Sequence, residues 1–346
     1  MSEGIVRRIT GTLLLLLTIC IGDAVAQDQE NCSLRFMFWN AENFFDTRDD
    51  SITDDDEFLP LGVRRWTSKR YNDKILSLSK VIVAAGGWEA PALVGLSEVE
   101  NRRVIEDLVR KTGLSRSGYS IIHEDSPDPR GIDVCILYRH DIVRVISYRY
   151  FTPVDSQSSP FRSRSLLYVK CQICDDTVHV FLNHWPSRRG GVLAAESMRE
   201  RIAIMLHGKA DSIASAEGGK TLIIYAGDFN AVPTDRIMKI LTEDYLSGLS
   251  MVNLSALVSA GTGTYRYQGI WEMIDQVLVS ENFITGTGRL RVTPASLTIF
   301  SEKFVLSDDP VYPGQSPWST YRGFTYQGGF SDHLPVLLDI SPPKVF

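Results

Sequence analysis

The chain has 346 residues, of which 44% are hydrophobic and 10% aromatic, enough for one large domain or two ordinary ones with a sizeable core. Its net charge is -6 and its pI about 5.6. That balance excludes a generic electrostatic nucleic-acid binder, which needs a basic face to release counterions, but not a nuclease with a local basic rim around a metal.

Residues 1–26 read as a targeting segment. Arg7 and Arg8 form its basic start, Ile9 to Ile21 an apolar core, and Ala24-Val25-Ala26 a small-x-small cleavage site before Gln27. The apolar run is shorter than the ~20 residues a membrane span needs. Ile19 before Cys20 argues against a lipoprotein cut. The expectation is a cleaved signal peptide, a periplasmic or secreted mature chain 27–346 in one domain, and no transmembrane segment within it.

Leu34 to Trp39 is the first predicted strand, ending in Asn40-Ala41-Glu42-Asn43. The acidic stretch Asp49 to Glu57 reads as a solvated loop; a calcium loop is the alternative, though the Asp spacing matches no familiar loop motif. From Thr67 a helix is predicted, with Tyr71, Ile75, Leu78, Ile82 and Ala85 on one face and Gly86-Gly87 as its stop. Pro91 to Leu96 is a buried strand ending in Ser97-Glu98-Val99-Glu100-Asn101. A helix through Val104 and Leu108 runs to Gly113, and Tyr119 to Ile122 is a short strand. Ile132 to Tyr138 is another strand, with Asp133 in an otherwise apolar run, where a lone acid must be paired or face a cleft.

Val143 to Phe151 and Ser165 to Val169 read as antiparallel strands, with Arg164 just before the second. An exported setting permits disulfides. Cys171-Gln172-Ile173-Cys174 has the spacing of a redox or zinc pair, but no second pair follows for zinc; a local disulfide and reduced buried thiols both stay open. Cys135, inside a strand, reads as core. Val178 to Leu182 ends in Asn183-His184-Trp185-Pro186 and is followed by a basic glycine loop, Arg188 to Gly191. A long helix then carries Met198, Ile202, Met205 and Leu206 inward.

Lys220 to Ala226 is a strand ending in Gly227-Asp228-Phe229-Asn230. Gly261 to Tyr267 reads as a glycine-rich loop, and Ile274-Asp275 leads into the strand Gln276 to Ser280. Gly286 to Gly329 should form turns and short strands walling a cleft. The last block, Gly329-Phe330-Ser331-Asp332-His333-Leu334-Pro335, feeds the buried strand Val336 to Ile340. No tandem repeat is visible.

Apolar runs that each end in a polar block, interleaved with helices, predict two facing sheets flanked by helices, a four-layered αββα sandwich. If the strand ends share one rim, Asn40, Glu98, His184, Asp228, Asn230, Asp275, Asp332 and His333 converge. Carboxylate and amide oxygens are hard ligands, suited to Mg²⁺, Mn²⁺ or Ca²⁺. Two imidazoles can move a proton and offset phosphate charge, the parts that phosphoester hydrolysis wants. There is no Gly-x-Ser-x-Gly elbow for serine chemistry. A two-carboxylate glycosidase would leave both His and both Asn unexplained.

In order, Trp39-Asn40-Ala41-Glu42-Asn43, Leu96-Ser97-Glu98, Asn183-His184-Trp185-Pro186, Gly227-Asp228-Phe229-Asn230, Ile274-Asp275-Gln276 and Ser331-Asp332-His333-Leu334-Pro335 resemble the signature blocks of the endonuclease/exonuclease/phosphatase superfamily, in its deoxyribonuclease-like, exported bacterial form. The resemblance implies Glu98 as principal metal ligand, with Asn40 and Asp332 beside it and Glu42 and Asp228 as less secure ligands. It implies Asp228 and Asn230 as the pair that orients water and holds phosphate. His333 would act with Asp275, His184 would be the second catalytic histidine, and Arg164 would contact phosphate. The acid partner for His184 does not align; Asp133 is the candidate. Arg130 is the residue nearest the place where some abasic-site members carry a phenol.

The expected activity is divalent-metal-dependent phosphodiester hydrolysis by in-line water attack, with nucleic acid as first substrate and Mg²⁺ as first metal. A phospholipid headgroup or an inositol or sugar phosphate is the second substrate reading, and a non-catalytic binding module with the same fold the third. No protein partner is evident.

Overall fold

The computed structural model describes residues 32–154, 162–187, 192–242, 249–286 and 288–342; the expected signal peptide and the Arg188–Gly191 loop lie outside them. The strands are β1 (Leu34–Phe44), β2 (Leu93–Val99), β3 (Tyr119–Ile122), β4 (Asp133–Arg139), β5 (Val143–Phe151), β6 (Leu166–Ile173), β7 (Asp176–His184), β8 (Leu222–Asp228) and β9 (Met251–Asn253). They continue with β10 (Tyr265–Tyr267), β11 (Ile270–Glu272), β12 (Asp275–Ser280), β13 (Leu297–Ile299), β14 (Leu306–Asp308), β15 (Gln315–Pro317), β16 (Tyr321–Arg322), β17 (Thr325–Tyr326) and β18 (Val336–Ile340). The helices are α1 (Ser68–Gly86), α2 (Arg102–Arg110), α3 (Val192–Ala216), α4 (Arg236–Ile240) and α5 (Asn282–Thr285).

Two six-stranded mixed sheets form, in the orders β13-β18-β1-β2-β4-β3 and β5-β6-β7-β8-β12-β9. The alternation of side chains along each strand explains the layering. Phe36 and Phe38 of β1 join Val178, Val180 and Leu182 of β7 in the core between the sheets. Met37 and Trp39 face the other way, onto Tyr71, Ile75 and Leu78 of α1. Phe181 of β7 packs outward with Ile202 and Leu206 of α3. Each central strand is therefore buried on both faces, which is why these strands read as continuous apolar runs. The result is the predicted αββα sandwich.

Local signals end the first helix where expected. The Thr67 side chain accepts the Arg70 N–H at its start, and Gly87 takes φ 72° at its end. In the middle of each sheet the pairing is parallel, β1 with β2 and β7 with β8, so their carboxyl ends share an edge. The outer partners β18 and β12 run antiparallel and begin at that same edge.

Two expectations change. Gly261 to Tyr267 is not all loop, because Tyr265–Tyr267 pairs with Ile270–Glu272 in a hairpin. No local disulfide forms between Cys171 and Cys174. Cys171 lies in β6 with its side chain in the inter-sheet core, whereas Cys174, in the following turn, bonds Cys32 at a Cα separation of 6.1 Å. That bridge ties the start of β1 to the other sheet across 142 residues. A loop of that size stabilises a fold by about 3–5 kcal/mol in the chain-entropy account. Reduction, or Cys32→Ser, should lower the stability read by denaturant unfolding by about that amount, whereas Cys171→Ala should keep the full loss of stability on reduction, because the bridge is still there.

Candidate active site

The shared edge collects the polar blocks. Backbone register sets His184 opposite Asp228 across β7 and β8, and Asp228 opposite Asp275 across β8 and β12. Gly227 permits this close approach, since a Cβ there would collide with the Asn183 backbone carbonyl. The other sheet supplies Asn40 from β1, Glu98 from β2, and Asp332 and His333 just before β18. Glu98 is the extra residue of a β-bulge between Ser97 and Val99, with φ 58°. Glu42 (φ 49°) and Asn230 (φ 47°) also occupy the left-handed region. Such backbone is costly for residues other than glycine and clusters where a site demands it.

Hydrogen bonds lock the two rims together. Asn40 Nδ2 donates to Asp228 Oδ2 at 3.1 Å, and the Asn230 N–H donates to Asp228 Oδ1 at 2.9 Å. His333 Nδ1 and Asp275 Oδ2 are 2.7 Å apart. Both imidazoles approach one oxygen, with His184 Nε2 at 3.7 Å and His333 Nε2 at 3.9 Å from Asp228 Oδ2. Glu98 joins the same space, its Oε1 3.8 Å from His184 Nε2 while its Oε2 accepts the Asn43 N–H at 2.8 Å. Asp332 Oδ1 lies 3.9 Å from His333 Nε2.

The two histidines are shifted in opposite directions. His184 is held well below the usual histidine range, first by burial and then by Arg164 and Arg130. Arg164 Nη2 lies 2.9 Å from His184 Nε2, so the ring faces a guanidinium rather than a carboxylate. Burial also opposes charge on His333, but Asp275, Asp332 and Asp228 outweigh it and push its pKa well above the ordinary value. Burial and the neighbouring Asp275 raise the Asp228 carboxyl to about 7.

Several expected roles need revision. Asp133 does not serve His184: it is 3.2 Å from His123 Nε2 and accepts the Ser126 N–H at 2.8 Å. Its strand β4 turns that side chain toward its own edge neighbour. Arg164 is buried and committed to Asp128 at 3.2 Å, to His184 and to the Trp185 carbonyl at 3.0 Å, which suits positioning rather than open phosphate contact. Glu42 accepts the Thr320 N–H at 2.6 Å and the Tyr321 N–H at 3.1 Å, one on each oxygen, and so tethers that loop. Asn230 Nδ2 donates to the Trp185 carbonyl at 2.9 Å. Arg130 is half-exposed and 3.5 Å from Asp128.

Four residues were missed. Asp128 anchors Arg164. Ser331 donates to the Asn40 carbonyl at 2.7 Å and accepts the His333 N–H at 3.0 Å. Tyr265 lays its ring 4.9 Å from the His333 ring. Lys74, fully buried, donates to Thr320 Oγ1 at 2.6 Å and to the Phe330 carbonyl at 2.7 Å. Its spacing with Tyr71, Ile75 and Leu78 put a cation inside an apolar stripe, which was a readable signal.

The donors that the resemblance implies, Asn40, Glu98 and Asp332, are amide and carboxylate oxygens without thiolate, and Asn40 Oδ1 also accepts the Glu42 N–H at 2.9 Å. Among the described residues Glu98 Oε1 accepts no hydrogen bond, and this donor chemistry fits a hard divalent cation.

A sequence-family model described as Endonuclease/Exonuclease/phosphatase family matches residues 35–342. The chain belongs to that family. The family is one of hydrolytic phosphoesterases. No curated protein sequence matches the chain. Among solved structures, the human Nocturnin catalytic domain with bound sulfate is similar at TM-score 0.55 and 18% identity, covering 90% of this chain and 95% of that one. An endonuclease/exonuclease/phosphatase from Bacteroides vulgatus gives 0.55 and 15%, covering 90% and 99%. D. rerio TDP2 in complex with a single-strand DNA product gives 0.54 and 12%, covering 89% and 98%. At these identities the likeness is one of fold.

The charge asymmetry can be tested without turnover. In metal-free protein at pH about 6.5, the ordinary histidine midpoint, ¹⁵N-edited NMR should read His184 as neutral and His333 as imidazolium. Arg164→Gln should raise the His184 pKa, because it removes a cation from beside the ring.

Proposed function

We propose that the chain is a divalent-metal-dependent phosphodiester hydrolase, that its substrate is nucleic acid, and that it acts by in-line attack of water on phosphorus. The observation that carries this reading is the pair of buried imidazoles that approach Asp228 Oδ2 from two sides, His184 backed by the Arg164 guanidinium and His333 by the Asp275 carboxylate. An in-line displacement needs a proton acceptor near the attacking water and a cationic donor near the developing charge. His184, neutral, and Asp228 supply the acceptor. His333, kept charged by Asp275, supplies the donor.

Asn40, Glu98 and Asp332 would hold the ion, with Mg²⁺ or Mn²⁺ as first choice. When bound, it polarises a phosphoryl oxygen as a Lewis acid. Asn230, on its strained backbone, borders the Asp228 carboxylate and would hold the phosphate and orient the water. Arg164 fixes the His184 ring and keeps its charge off. The TDP2 complex with a DNA product, on the same fold, supports nucleic acid as substrate.

A second reading, a lipid headgroup or sugar phosphate, has one observation in its favour. The β10–β11 hairpin begins at Tyr265 beside His333 and exposes Tyr267 (56%) and Ile270 (68%), an apolar wall at the site's edge. For location, the Cys32–Cys174 bridge supports an oxidising, exported setting for residues 27–346.

Purified protein should be offered plasmid DNA, an aryl phosphodiester, sphingomyelin and inositol phosphates, with Mg²⁺, Mn²⁺, Ca²⁺ or chelator. Cleavage of DNA that chelator abolishes is expected. Glu98→Gln and His333→Ala should each cut the rate by at least ~10²-fold. Wild-type rates from either variant would refute the assignment. Asp275→Asn removes a carboxylate that raises the His333 pKa. Because the active form of His333 is the charged one, its rate should then fall off at lower pH than in wild type. An unchanged alkaline limb in the pH–kcat/KM profile would mean that His333 does not act as the cation.

A further inference from the structure

The acidic loop between β1 and α1 carries a second constellation outside the cleft. One carboxylate oxygen from each of Asp49, Asp55 and Asp56 lies within 4.8 Å of the other two. That is close enough for all three to reach one calcium ion, since opposite ligands at a bond of roughly 2.4 Å are at most about 4.8 Å apart. Asp49 and Asp56 are exposed, whereas Asp55 is 1% exposed. Asp55 Oδ2 accepts the Asp50 N–H at 3.0 Å. Asp55 Oδ1 is sealed from solvent and has no hydrogen-bond partner. A buried carboxylate oxygen left without a donor is costly, and buried charges are paired or coordinate a metal.

No side-chain cation fills that role. Among the described residues, no Arg or Lys lies in ion-pair range of Asp49, Asp55 or Asp56; the nearby Arg64 and Arg103 are turned to Glu57 and Asp46. Burial, with Asp49 and Asp50 adding to it, holds the Asp55 carboxyl above its ordinary range. Among the described residues this buried carboxylate therefore has a backbone donor on Oδ2 but no cationic partner.

We propose that Asp49, Asp55 and Asp56 form a calcium site, with the buried Asp55 carboxylate as its inner ligand. The all-oxygen donor set selects a hard cation, and a loop on the surface suits the flexible six- to eight-oxygen shell of Ca²⁺ better than the tight octahedron of Mg²⁺. The site is linked to the cleft by its neighbours. The Asp54 N–H donates to the Pro129 carbonyl at 2.7 Å. Gly131 sits against the Thr53 side chain, which a Cβ there would meet. That turn carries Asp128, the anchor of Arg164, so the ion fastens the loop to the wall that positions His184.

The test uses Glu98→Gln protein, so that the catalytic cluster lacks its principal carboxylate. Calorimetric titration with Ca²⁺ should find a bound ion, and Ca²⁺ at about a hundredfold above its Kd should raise Tm by about 4 °C. Asp55→Asn should abolish both signals. Because Asp55 is buried, that variant could fail to fold. The exposed pair Asp49→Asn with Asp56→Asn should fold, keep the metal-free Tm and lose the calcium response. A calcium response that survives in this double variant, or none in Glu98→Gln, overturns the proposal. An equal Tm rise with Mg²⁺ overturns the assignment to calcium.

Discussion

Two hydrogen bonds between different sheets determine what this site can be. Asn40 belongs to one sheet and Asp228 to the other; His333 and Asp275 are divided the same way. Each pair joins buried polar groups, and a buried charge left without its partner is strongly destabilising. The sandwich can therefore close in only one relative placement of its sheets, the one that satisfies both pairs. The Phe36, Phe38, Val180 and Leu182 layer gives the attraction between sheets without specifying that placement. The polar pairs at the rim add the specificity, as buried polar groups do in some systems.

That arrangement forces the backbone as well as the side chains. A regular strand end would send Glu98 to the face chosen by its pleat. The bulge at Ser97 to Val99 breaks the alternation and re-aims it. Glu42 and Asn230 occupy the same costly region of backbone space for related reasons. Each such residue costs about 1–3 kcal/mol. Near them, hydrogen bonds from Thr320, Tyr321, Ser331 and Trp39 pin the loop bearing Asp332 and His333. Lys74 and Glu42 reinforce that loop from beneath, where burial brings the lysine down to about 8 and the glutamate up to about 7.

How much of this was legible follows from which interactions are local. The central strands were readable because double burial writes itself as an unbroken apolar run, and Tyr119–Ile122 and Val336–Ile340 fall where the sequence places them. The polar blocks were readable because they interrupt those runs. Partner choice was not, since it depends on residues far apart in sequence. Asp133 looked available to His184, yet its strand sets it beside His123, ten residues away. A Cys171–Cys174 bridge stayed open in the sequence, but Cys171 points into the inter-sheet core from β6, and Cys174, in the turn after it, bonds Cys32. The short hairpins after Gly261 lack long apolar runs, so periodicity gives them no signature.

The most consequential choice illegible in the sequence is the difference between the two histidines. They end similar blocks, approach the same Asp228 oxygen and are both buried. Burial alone would keep both rings neutral. What separates them is the sign of the nearest partner, a guanidinium for His184 and a carboxylate for His333. The guanidinium is itself held by Asp128, so the charge that keeps His184 neutral is balanced one residue further out. Two identical side chains are thus shifted in opposite directions without any difference in their own chemistry. A fold that only gathered the histidines would give two neutral rings; the acid–base asymmetry comes from the residues behind them.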